Sequence, residues 1–136
     1  MINELKKLLK EQQAHLKNLL VLLEVQCKMI MAKDVFGLEC IVEKVENESK
    51  YIANIEVSRR KLIGNESLVK FIHESNDGEL ENLYNKLLST LQETIQKKDT
   101  NELLIKQQLT FTNKMLNIMN PDRQIKTYNS YGSLSK

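Results

Sequence analysis

Between residues 2 and 31 the large apolar side chains recur at helical spacing, and four of them, Leu9, Leu16, Leu23 and Ile30, fall at intervals of seven. A seven-residue period keeps one face of a helix against a neighbouring helix along its whole length. It predicts a first helix from Ile2 to about Met31, roughly 45 Å long at 1.5 Å per residue, that is not stable without a partner. Little in the rest of the chain interrupts such a pattern. Among 136 residues there are four glycines, one proline and no tryptophan, which is the composition of long helices rather than of a sandwich or a βαβ fold.

A corner is predicted at "MAKDVFG", with Asp34 as the cap of a second helix running from Asp34 or Val35 to Ile63 on Leu38, Ile41, Val42, Val45, Ile52, Ile55, Leu62 and Ile63. Gly64-Asn65 ends it. A short helix over "ESLVKFIHES", capped by Ser67 or Asn65, stops at "NDG". The last helix begins near Glu79. Asp99-Thr100 offers a possible break, but Leu91, Ile95, Lys98, Glu102, Ile105 and Leu109 stay in phase and predict continuity to Met119. The expected fold is all-α: an antiparallel bundle of three long helices with one short accessory helix, in a domain of residues 1–119. Leu16, Leu23, Ile41, Ile52, Leu87 and Leu91 are the expected core.

Pro121 stops the last helix and holds Asn120 extended. Residues 120–136, "NPDRQIKTYNSYGSLSK", carry too few large apolar groups to offset the entropy of ordering them, and are expected to be a disordered, flexible tail. Two of the four tyrosines of the chain, Tyr128 and Tyr131, lie in it. A tyrosine is a rigid amphipathic anchor, so the pair reads as a short linear binding motif. In "LLIKQQLTFTNKMLNIM" the apolar residues spread around more of the helix than a single core stripe requires. Met and Phe there suit a surface that accepts an amphipathic partner helix.

The second helix with "EKVENESKYIANIEVSRRKLIG", the third with "NELLIKQQLTFTNKMLNIM" and the "TYNSYG" tail resemble the FlgN-type flagellar export chaperones, over nearly the whole chain. The resemblance implies a cytoplasmic chaperone of type III export that binds hook-associated, or hook–filament junction, proteins and delivers them to the flagellar export gate. Carried over by position, the client segment is Leu104, Ile105, Leu109, Phe111, Thr112, Met115, Leu116 and Met119. Docking to the cytoplasmic domain of the gate falls to Tyr128, in its Y-N-x-x-G setting, with Tyr131 as the rival. The competing reading is a structural coiled-coil adaptor whose apolar surfaces are consumed in self-association.

Other classes find no support in the residues. Twenty basic and eighteen acidic side chains, interspersed, give a net charge of +2, without the basic stripe of a nucleic-acid binder. The N-terminus has neither a signal-like nor a membrane-spanning apolar run, so a cytoplasmic location and no membrane insertion are expected. Cys27 and Cys40 read as small reduced residues, and with His15 and His73 they lack metal-site spacing. His15 reads as a boundary residue, and Arg59-Arg60-Lys61 as a complement to the helix dipole. No acid–base pair, nucleophile setting or phosphate loop is present, so neither enzymatic activity nor a cofactor is expected.

Overall fold

The computed structural model describes residues 1–64 and 66–120, and of residues 121–136 the backbone of Thr127–Tyr128 and Leu134–Ser135. The protein is all-helical in its body, with four helices: α1 Ile2–Ala32, α2 Val35–Ile63, α3 Leu68–Ser75 and α4 Gly78–Met119. Thr127–Tyr128 and Leu134–Ser135 pair as a short antiparallel ribbon. The expected flexibility of the tail, Tyr131, and the side chain of Tyr128 lie outside the described residues. Two compact units are distinguished, Met1–Asn101 and Glu102–Lys136.

Each helix boundary has a local cause. α1 ends where Lys33 turns left-handed (φ 58°), which brings the Asp34 amide to the Met29 carbonyl at 2.9 Å. The Asp34 carboxylate then accepts from the Gly37 amide at 2.9 Å and starts α2. Gly37 is required for this approach, because a Cβ there would run into that carboxylate. α2 closes on Gly64 (φ 76°, ψ −135°), a conformation open to glycine. Ser67 precedes α3 without a side-chain cap, and Asn65 is outside the described residues. Asn76 turns left-handed, and the Asp77 carboxylate accepts from the amides of Glu79 and Leu80 at 3.1 and 3.2 Å to open α4. α4 then runs 42 residues without a break, through "QKKDTNE" as expected.

Side-chain bonds within Met1–Asn101 set the helix directions. Arg59 donates to Gln12 at 2.8 Å and His15 to Glu48 at 2.7 Å, so α2 returns antiparallel to α1. Lys6 meets Asp77, Gln13 meets Thr90 and Asn101 meets Leu23, so α4 runs parallel to α1. The core collects Leu5, Leu9 and Leu16 of α1, Ile63 of α2, Ile72 of α3, and Leu80 and Leu87 of α4. The buried residues of α1, Leu5, Leu9, Gln12, Leu16, Leu23, Cys27 and Ile30, continue the heptad.

Of the expected core, Leu16, Leu23, Ile41 and Leu87 are buried and Ile52 is half-buried. Leu91 is a correction. It is 38% exposed, because the buried face of α4 passes through Thr90 and Thr94 rather than Leu91 and Ile95. Continuity of the last helix was therefore right, but the stripe that argued for it lies on the flank.

Candidate functional site

The buried face of α4 changes character along its length. It is apolar at Leu80 and Leu87, then polar at Thr90, Thr94 and Asn101. Hydrogen bonds tie this polar stretch to α1 or to its own helix, apart from the buried Oδ1 of Asn101 and Oε1 of Gln13, which have no partner among the described residues. Gln13 donates to the Thr90 hydroxyl at 2.8 Å, and the Thr94 hydroxyl returns to the Thr90 carbonyl at 2.7 Å. The Asn101 amide donates to the Leu23 carbonyl at 2.8 Å and to the Gln26 side-chain oxygen at 3.0 Å. Asn101 is 2% exposed. These residues escaped the sequence reading, although the step from Leu80 through Leu83 and Leu87, continued by threes and fours, lands on Thr90, Thr94 and Asn101.

After Asn101 no residue of α4 is buried. Leu104 is half-buried, whereas Ile105, Leu109, Phe111, Thr112, Met115, Leu116 and Met119 are exposed, Leu109 to 60% and Phe111 to 58%. At about 100° per residue these eight, with Ile118, fall within roughly half of the helix circumference. Lys106, Thr110, Asn113, Lys114 and Asn117 occupy the other half, with Leu103 the single large apolar residue among them. The excess of apolar groups is thus one broad face rather than two opposed ones. A face this wide exceeds the seam of a two-stranded coiled coil.

The remaining candidates are accounted for locally. His15 is half-buried, paired with Glu48 and stacked on Tyr51 with centroids 5.1 Å apart, in keeping with a boundary residue. Arg60 pairs with Glu56 within α2, while Arg59 reaches across to Gln12, a role the dipole reading did not foresee. Cys27 is buried and Cys40 exposed, both as free thiols. Among the described residues no group of three or more His, Cys, Asp or Glu is arranged to hold a metal ion, and no helix is long and apolar enough to cross a membrane.

No curated protein and no solved structure matches the chain. The family described as FlgN protein matches residues 1–136, the full span of helices and polar seam set out above. The chain belongs to the FlgN protein family.

Proposed function

We propose that this FlgN family member is a cytoplasmic type III export chaperone, built as a bundle of three long helices with α3 as an accessory. It binds the helical ends of hook-associated proteins on Leu104, Ile105, Leu109, Phe111, Thr112, Met115, Leu116 and Met119, and carries them to the flagellar export gate. The observation that supports this most is the broad apolar face of α4 after Asn101, none of whose side chains is buried. Exposed apolar area of that kind on a helix favours an apolar partner by roughly 25 cal/mol per Å² covered.

The test is titration of purified hook-associated proteins with the chain and with a Leu109→Asp/Met115→Asp variant. Charges at the centre of the face are expected to weaken binding by at least about a hundredfold, near 2.7 kcal/mol, with the helical circular dichroism retained. Loss of helicity together with constitutive self-association of the unmodified chain would favour the adaptor instead. Gate delivery is assigned to the tail tyrosines. Tyr128→Ala is expected to weaken binding to the cytoplasmic domain of the gate with client binding kept, and loss confined to Tyr131→Ala would move the anchor by three residues.

A further inference from the structure

We propose that Asn101 is a positioning residue: together with Gln26 it selects one register of α4 along α1 from the several that the leucine repeat permits. The inference concerns the bundle of Met1–Asn101 and goes beyond client binding. On α1 the buried Leu9, Leu16, Leu23 and Ile30 repeat every seven residues. Sliding a parallel partner by one heptad, about 10 Å, therefore brings equivalent apolar groups to the same places, and burial alone distinguishes the registers poorly.

The polar contacts do distinguish them. Asn101 bonds the Leu23 carbonyl and the Gln26 side chain. Every register offers a backbone carbonyl, so the first bond selects nothing. The second does, because one heptad away Gln26 is replaced by Leu19 or Lys33, and neither carries an acceptor. In one direction the same slide would also replace Gln13, the donor to Thr90, by Leu20, which has no donor to offer. Asn101 is also an imperfect stabiliser. Its buried Oδ1 has no hydrogen-bond partner among the described residues, and a buried polar group left partly unsatisfied costs stability relative to an apolar side chain of similar size. Its contribution is specificity of alignment, the attested use of a lone buried asparagine in a heptad seam.

The experiment measures register directly in the full chain. Spin labels at Lys17→Cys on α1 and Gln92→Cys on α4, in a Cys27→Ala/Cys40→Ser background, report their separation by double electron–electron resonance. Both labelled positions are exposed. One narrow distance is expected with Asn101 present. In Asn101→Leu, a second population displaced by up to one heptad is expected, while the melting midpoint stays equal or rises. Gln26→Leu, which keeps the Leu23 carbonyl bond, is expected to give the same second population. A single unchanged distance in both variants would overturn the proposal. So would loss of helicity in Asn101→Leu with an unchanged distance in Gln26→Leu, which would make Asn101 a stabiliser only.

Discussion

Leu87 and Leu116 are both leucines of α4, yet Leu87 is 4% exposed and Leu116 37%. Nothing intrinsic to the two side chains separates them. The difference is whether the residue lies within the Met1–Asn101 unit, where it meets α1 in the core, or in the Glu102–Lys136 unit, where no described residue of α4 is buried. A single helix can thus give its parts different tasks. The apolar first part contributes folding free energy, the polar middle part alignment, and the apolar last part an open surface.

Truncation is the sharpest way to break this contrast. Leu9→Ala and Leu80→Ala, both fully buried, are expected to cost about 2–5 kcal/mol each, through lost burial and the cavity left behind. Leu109→Ala and Ile118→Ala remove comparable side chains from the exposed part and are expected to change stability by no more than about 0.5 kcal/mol. Urea melts followed by circular dichroism decide it. A cost above about 2 kcal/mol at Leu109 would show that the last part of α4 belongs to the folded core.

How much of this was legible in the sequence follows from the same contrast. The heptad of α1, the Asp34 cap, the stop at Gly64 and the continuity of α4 are local or periodic signals, and each was readable from residue type and spacing. The buried face of α4 was misread at Leu91 because the stripe through Leu91 and Ile95 was followed, whereas the phase set by Leu80, Leu83 and Leu87 leads to Thr90 and Thr94. Thr90 and Thr94 are buried, the Thr94 hydroxyl donating to the Thr90 carbonyl and the Thr90 hydroxyl accepting from Gln13, so they occupy core positions without an apolar signature. Arg59 to Gln12 and Asn101 to Gln26 join residues far apart in sequence, which periodicity within one helix does not reveal. The surplus of apolar residues after Asn101 was visible, but its confinement to one half of the helix needed the angular positions.

An intermediate effect is expected at the polar seam. Thr90→Val removes the acceptor of the Gln13 amide while keeping its shape, and leaves a half-buried donor unmatched, at a cost of about 1–3 kcal/mol. Adding Gln13→Leu removes the stranded donor, and the double variant is expected to recover most of that loss. Additive losses in the double variant would show that the two side chains act independently, and the seam would lose its reading as a set of matched pairs.

The smallest effect is expected at the start of α4, where the helix is pinned to α1 by charge. Lys6 lies 2.8 Å from Asp77 and 3.3 Å from Glu79. The Lys6 ammonium, followed by the Leu80 amide, holds the Asp77 carboxyl below its ordinary 3.8, and Asp77, followed by Glu79, holds Lys6 above its ordinary 10.5. A lowered carboxyl pKa stabilises the folded chain above the ordinary value, and that contribution disappears as pH falls through the folded value. A raised lysine pKa stabilises it below 10.5 and is lost as pH rises through the folded value. The contribution of this cluster is therefore flat through neutral pH. Asp77→Asn tests it cleanly, because the amide oxygen can still accept from the Glu79 and Leu80 amides and only the charge is removed. The stability difference between wild type and Asp77→Asn, from urea midpoints, is expected to be small and constant at neutral pH and to close below 3.8. It is also expected to shrink in salt, as exposed ion pairs do. A difference that persists at acid pH would mean that the substitution acts through the cap, leaving α4 held to α1 by its apolar and polar seam alone.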